Sequence, residues 1–212
     1  MENTLYQKLT HKNLAKNTHL RREELINSLK EEAHFNRLTG LPNENAFMNM
    51  LDGLQNSWAR KDLVEGVDGG TFIEFDATGL KIVNDKFGRY EGGNKYLICI
   101  ADSIKKSIRA EDRVFRLGDS SDEFILHLAE TTDKKNIDKV LDRIDQELKN
   151  HQEMLQEKYP GIKFSLSSSI STYGTNRSPE NAFEIADFNM TEAKKSSVDG
   201  ARAGNVGRIY SD

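Results

Sequence analysis

The apolar residues of this chain alternate between helical and strand-like spacing. The helical stretches cover residues 47–58, 97–108, 137–148 and 182–193, and the β-prone runs cover 70–75, 114–117, 124–128, 164–170 and 206–210. Taken in order, the central elements read βαββαβ, which is the pattern of a split βαβ, ferredoxin-like sheet with helices on one side. The pattern therefore predicts an α+β domain built on such a sheet.

The first part of the chain differs in character from the rest. Residues 1–34 are rich in charged and amide side chains with scattered leucines, which predicts a helical extension ahead of a domain at 35–212. Leu25, Ile26, Leu29 and Ala33 share one face of this helix, and that face is expected either to pair with a second copy or to pack back on the domain. The heptad pattern is too irregular to predict a strong coiled coil.

Composition narrows the class of protein. A chain of 212 residues has the length of one domain with an addition, and a net charge of −4 provides no general attraction to nucleic acid. Cys99 is the only cysteine, so no disulfide forms within the chain, and its apolar surroundings predict an inert buried thiol. No segment is apolar over the length of a membrane span, and the polar N-terminus does not resemble a signal peptide, so we expect a cytoplasmic protein.

Two carboxylate positions follow predicted strands. The run 70–75 ends at Asp76, and the turn at 118–121 separates two strands and presents Asp122 and Glu123. Separated carboxylates that converge on one spot suit Mg²⁺, which takes one or two protein oxygens and leaves its other positions to water and phosphate. The alternative is that Asp76 caps the next segment and Asp122 closes a turn. Spacing alone favours these structural roles.

Four motifs in order point to a family. They are LTGLPN at 38–43, FDATGLKIVND at 75–85, RAED at 109–112, and AD with AK at 186–187 and 193–194. From about Phe35 onward the chain resembles a GGDEF domain, the family whose active members are diguanylate cyclases that join two GTP molecules into cyclic di-GMP. The resemblance implies the palm-type GGDEF fold and a bacterial second-messenger function.

The resemblance also assigns roles to individual residues. It implies Mg²⁺ held by Asp76 and Asp122, with Asp122 and Glu123 catalytic if the protein is an active cyclase. It implies GTP contacts from Asn84, Asn94 and Lys194, and cyclic di-GMP contacts from Arg109, Asp112 and Arg113 in the RxxD motif. For Arg109 and Asp112 the alternative is an ion pair at a helix end.

The sequence departs from the family where the chemistry occurs. Residues 116–124 read RLGDSSDEF, whereas the family reads RxGGDEF, so two residues are inserted and the second glycine is lost. A longer tip is expected to move Asp122 relative to Asp76. Asn94 follows one extra residue and takes the place of an aspartate that contacts guanine in the family. Further departures are Asn36, Glu44 and Arg89, and a Gly-Arg-Asn segment that is delayed to residues 200–205.

These departures favour a degenerate GGDEF domain with weak or no cyclase activity. We expect it to bind cyclic di-GMP through Arg109 and Asp112 as a signalling receptor that acts on a protein partner. An active diguanylate cyclase with product inhibition at the RxxD site is the first alternative. The others are a cyclase of altered base selectivity, suggested by Asn94, and a dimerisation scaffold that binds no nucleotide.

Overall fold

A five-stranded mixed sheet forms the centre of the domain. The computed structural model describes residues 21–23, 33–60, 69–196 and 206–211. Its elements are α1 (Glu44–Ala59), β1 (Gly70–Ala77), α2 (Leu80–Phe87), a π-helical turn (Gly88–Gly93), α3 (Asn94–Ser107), β2 (Arg113–Arg116), β3 (Glu123–Leu128), α4 (Lys134–Leu155), β4 (Leu166–Tyr173), α5 (Pro179–Ser196) and β5 (Val206–Tyr210). The strand order is β2-β3-β1-β4-β5, and only the β4–β5 pair is parallel.

Helices cover both faces of this sheet. Ile73 and Phe75 of β1 belong to a cluster formed with α3 and α4, whereas Phe72 belongs to a second cluster that contains Phe47 of α1 and Ala182 of α5. The α+β class and the βαββαβ order are confirmed. The expectation of helices on one side is wrong, because β1 carries large apolar residues of both parities and neither face can be left to water.

The extra residue before Asn94 is absorbed by the π-helical turn. Helices α2 and α3 continue into each other through this turn, in which the wider helical spacing accommodates one more residue. Gly92 and Gly93 are buried there, and a Cβ on Gly93 would collide with Oδ1 of Asn84. Glycine at position 93 therefore leaves room for the Asn84 side chain, which would have to shift if a Cβ were present.

The predicted N-terminal helix lies mostly outside the described residues. Residues 21–23 and 33–34 are helical, and Ala33 of the predicted apolar face is exposed. The other members of that face, Leu25, Ile26 and Leu29, fall among residues 24–32, which are outside the described part, so the predicted dimer contact stays a prediction. Within the part of the chain that the structure describes, no helix combines the length and the apolar character needed to cross a membrane.

Candidate functional site

The paired ends of β1 and β3 bring three carboxylates to one edge of the sheet. Asp76 lies directly opposite Glu123 in the antiparallel register, and the amide of Ala77 donates to the carbonyl of Asp122 at 3.1 Å. The hairpin tip is closed by a bond from the amide of Leu117 to the carbonyl of Glu123 at 3.0 Å. The two inserted residues are taken up within the tip, and Asp122 remains beside Asp76.

Lys194 of α5 extends across this carboxylate edge. Its Nζ lies 2.8 Å from Oδ1 of Asp76 and 2.8 Å from Oε1 of Glu123. Burial lowers the pKa of Lys194, but the hydrogen bonds and charges of the two carboxylates outweigh it and the pKa is raised. For Glu123 burial acts to raise the pKa, and the bond to Lys194 more than offsets this, so the net shift is downward. The ammonium group thus acts as a resident counter-ion for two of the three acids.

Asp122 has a different electrostatic setting. Its pKa is raised, first by burial and then by the negative charge of Asp76. Mutual repulsion between two carboxylates is relieved by a cation, and the hard oxygen donors of Asp76 and Asp122 are of the type that Mg²⁺ prefers. The residues therefore fit this metal. Within the described ranges no three acidic, histidine or cysteine side chains form a complete metal cage, so water and phosphate oxygens would complete the coordination.

A fourth carboxyl group, that of Glu74, lies beneath the edge. Glu74 is only 3 % exposed, and its Oε2 has no hydrogen-bond partner within the described residues. Burial, followed by the charges of Asp187 and Glu123, raises its pKa to about 8. Glu74 was not among the predicted site residues, although an acidic residue between the apolar positions 73 and 75 of a predicted strand is a usable signal of a functional carboxyl group.

A cavity of about 340 Å³ opens beside the carboxylate edge, between α2, α3 and the hairpin tip. Asn84 and Asn94 both line it, and Oδ1 of Asn84 is buried without a hydrogen-bond partner within the described residues. Three leucines supply apolar walls, which suit the faces of a planar ring, while the amides offer groups for its edge. The complete lining consists of Leu38, Leu80, Asn84, Arg89, Gly93, Asn94, Leu97, Arg116, Asp119 and Ser120.

The inserted tip is held by a buried arginine. Arg116 is 1 % exposed and donates from Nη2 and Nε to the carbonyl of Ser121, at 2.7 and 3.2 Å. Its Nη1 donates to Oδ1 of Asn36 at 2.9 Å, and Nδ2 of Asn36 donates to Oδ1 of Asp119 at 3.1 Å. Gly118, with φ of +63°, supplies the left-handed turn residue. Asn36 was predicted only as a departure from the family, and its contact with Arg116 and Asp119 could not be read from sequence spacing because the partners lie about 80 residues away.

The RxxD segment lies at the opposite end of the β2–β3 hairpin. Asp112 is 4 % exposed and accepts from the amides of Arg109 and Ala129, at 3.0 and 3.1 Å. Asp112 therefore bonds to the backbone of Arg109, while the half-exposed Arg109 guanidinium lies 3.7 Å from Glu111. Arg113 donates to the carbonyl of Ala110 at 2.9 Å. The turn is thus fixed from inside and carries arginine side chains outside.

The structure divides the predicted site residues among three places. The carboxylate edge holds Asp76, Asp122, Glu123 and Lys194; the cavity holds Asn84 and Asn94; and the RxxD turn holds Arg109, Asp112 and Arg113. The first two groups lie side by side, and the third is separated from them by the length of β3. Residues 200–205 are outside the described part of the chain.

Comparison with known proteins identifies the family. The model described as "Diguanylate cyclase, GGDEF domain" matches residues 33–199. No curated protein sequence matches the chain significantly.

Solved structures with the same fold include three bacterial examples. The coiled coil and GGDEF domain of DgcB from Caulobacter crescentus, in complex with c-di-GMP, has a TM-score of 0.70 and 21 % identity, over 93 % of this chain and 97 % of that one. Diguanylate cyclase SiaD in complex with its activator SiaC, from Pseudomonas aeruginosa, has a TM-score of 0.63 and 20 % sequence identity, and the match covers 99 % of this chain and 74 % of that one. The GGDEF domain of TpbB (YfiN) from Pseudomonas aeruginosa has a TM-score of 0.64 and 24 % sequence identity, and the match covers 84 % of this chain and 95 % of that one.

Proposed function

Because the chain belongs to the GGDEF family, we propose that it is a degenerate member that binds cyclic di-GMP at the RxxD turn, has weak or no cyclase activity, and passes the signal to a protein partner. The observation that carries this proposal is the built RxxD turn. Its buried Asp112 holds two backbone amides, and its arginines project from the fixed segment.

Arginine is suited to the proposed ligand. A planar guanidinium binds a phosphate, or O6 and N7 of guanine, in bidentate fashion, and cyclic di-GMP offers both groups. Arg109 and Arg113 are the proposed direct contacts. Asp112, which the RxxD motif assigns to the same ligand, acts by fixing the turn, because it is buried and both of its oxygens accept from backbone amides. A turn that is already ordered loses less conformational entropy on binding than a flexible loop does.

Weak turnover follows from the hairpin tip. Ser120 and Ser121 directly precede Asp122 in a tip that lacks the second glycine of the family, so their side chains limit how closely the backbone approaches a phosphate. The hydroxyl of Ser121 also donates to Oε2 of Glu123 at 3.1 Å, and Lys194 contacts Oε1 of the same residue. Glu123 is therefore engaged on both oxygens. An acid whose two oxygens already accept hydrogen bonds is less available to a substrate, and we expect turnover to be slow for this reason.

If GTP binds, each group has a defined task. Asn84 and Asn94 would orient the base in the cavity, and Lys194 would exchange a carboxylate for a phosphate oxygen. Asp76 and Asp122 would hold Mg²⁺, which when bound supplies positive charge to the phosphate oxygens. Asp122 would also accept the proton of the attacking 3′-hydroxyl.

The similar structures support the classes of ligand and partner. DgcB was solved with c-di-GMP and SiaD with an activator protein. Both proteins resemble this chain in fold, which supports cyclic di-GMP as the ligand and a protein as the partner proposed here.

An active cyclase with product inhibition is the second candidate. It is favoured by the register that sets Asp76 opposite Glu123 and bonds Ala77 to Asp122 in spite of the insertion. In that case cyclic di-GMP at the RxxD turn would be the inhibitory product.

Calorimetric titration with cyclic di-GMP tests the proposal. The wild type should bind, Arg109→Ala should weaken binding at least tenfold, and Arg60→Ala, which removes an exposed arginine at the end of α1, should have no effect. A parallel incubation with GTP and Mg²⁺ should yield little or no cyclic product. Rapid product formation that is abolished by Asp122→Asn would establish the active cyclase instead, and failure to bind cyclic di-GMP would reject both the receptor and product inhibition.

A further inference from the structure

The base cavity has gained a carboxylate from the insertion. On the α2 and α3 side its polar groups are the amides of Asn84 and Asn94 and the guanidinium of Arg89, and the buried Arg116 adds a second guanidinium from β2. An amide both donates and accepts, so two amides match the edges of guanine and adenine about equally well. The hairpin tip contributes Asp119 and Ser120 to the same cavity. Among the lining residues that the structure describes, Asp119 is the one acidic side chain, and it therefore supplies the one charged acceptor for donors on the edge of a base.

The position of Asp119 is fixed by the interior of the protein. Asn36 donates to its Oδ1 at 3.1 Å and in turn accepts from the buried Arg116 at 2.9 Å. Arg116 also donates to the carbonyl of Asp119 at 3.4 Å and to that of Ser121 at 2.7 Å. One arginine and one amide thus hold both the backbone and the carboxylate of the inserted segment. Such support from fixed neighbours is what a recognition group requires.

We propose that Asp119 is a specificity-determining residue that makes this cavity selective for guanine nucleotides, in place of the acid that is absent at Asn94. An ionised carboxylate only accepts hydrogen bonds, and guanine presents two adjacent donors, N1–H and N2–H, on its Watson–Crick edge. Adenine presents the acceptor N1 at the corresponding place, where a carboxylate repels it. A well-placed contact of this kind changes base preference by about tenfold or more.

This inference extends beyond the cyclic di-GMP proposal and stands apart from it. The cavity and the RxxD turn lie at opposite ends of the β2–β3 hairpin. Loss of guanine selectivity would leave cyclic di-GMP binding at Arg109 unaffected, and loss of cyclic di-GMP binding would leave the cavity unaffected. The two proposals can therefore fail separately.

Titration of the full chain with GDP and with ADP, in the presence of Mg²⁺, tests the role of Asp119, since diphosphates are not cyclised. The wild type should prefer GDP at least tenfold. Asp119→Asn keeps an oxygen for the bond from Asn36 and should remove that preference, whereas Asp52→Asn, an exposed acid of α1, should leave it intact. The double variant Asn94→Asp with Asp119→Asn should recover the preference.

Three results would overturn the role of Asp119. A preference for GDP could survive in Asp119→Asn, the wild type could bind GDP and ADP equally, or the wild type could bind neither nucleotide. Titration of the wild type with inosine diphosphate provides a readout that does not depend on the folding of any variant, because this nucleotide keeps O6, N7 and N1–H but lacks the N2 amino group. It should bind several-fold more weakly than GDP, and equal binding would contradict the proposal.

Discussion

Replacement of Glu74 by glutamine should make the protein less sensitive to rising pH. Glu74 is buried on β1, its Oε2 has no hydrogen-bond partner within the described residues, and its neighbours include Asp187 and Glu123. Burial and these charges raise its pKa from 4.5 to about 8. The folded protein therefore keeps Glu74 protonated over a pH range in which the unfolded chain has released the proton.

The sign and size of the effect follow from proton linkage. Between the two pKa values the folded state binds one proton more than the unfolded state, so the free energy of unfolding falls as pH rises, by about 1.4 kcal/mol per pH unit. Full linkage between about pH 5.5 and about pH 7.5 would amount to about 2.7 kcal/mol. Relaxation around the charged form reduces this, and we expect a difference of about 1 to 2.5 kcal/mol.

The assay is urea denaturation of wild type and Glu74→Gln at several pH values in buffers that contain a metal chelator. The stability of the variant relative to wild type should increase steadily with pH across this window. Glu157→Gln, which neutralises an exposed acid, should show no such trend. A difference between Glu74→Gln and wild type that is constant with pH would refute the reasoning, because it would mean that Glu74 titrates alike in the folded and unfolded states.

Three further changes test other contacts. Lys194→Met removes the cation between Asp76 and Glu123, so Mn²⁺ should bind several-fold more tightly in the absence of nucleotide. Electron paramagnetic resonance measures this affinity, and weaker or unchanged binding would contradict the role of Lys194 as a counter-ion. Arg116→Met leaves buried acceptors of the tip without a donor and should destabilise the fold by about 3 kcal/mol in urea denaturation, whereas a loss below about 1 kcal/mol would show that the tip is held by other contacts. Asp112→Ala should lower the free energy of unfolding by about 1 to 3 kcal/mol and weaken cyclic di-GMP binding, because two backbone amides lose their acceptor. Asp112→Asn keeps one acceptor oxygen and should retain more of the stability and more of the binding. Equal effects of the two variants would argue against the role of Asp112 in fixing the turn.

The extra residue before Asn94 shows why local sequence was insufficient for part of the site. The insertion was visible, but its effect depended on whether a loop or a helix would absorb it. The structure absorbs it in the π-helical turn, where Gly93 allows close approach to Asn84, and both asparagines line one cavity. Steric room between two segments is a tertiary property, and spacing along the chain does not report it.

The sequence by itself determined the α+β class, the order of the elements and the family. The spacing of apolar residues indicates which segments form strands and which form helices, and the order of motifs is a property of the chain that does not depend on folding. Only the tertiary structure decided that helices cover both sheet faces, that Lys194 lies between Asp76 and Glu123, and that Asp119 lines the same cavity as Asn84 and Asn94. These features join residues that are distant in sequence, and their distances, burial and charges exist only once the chain is folded.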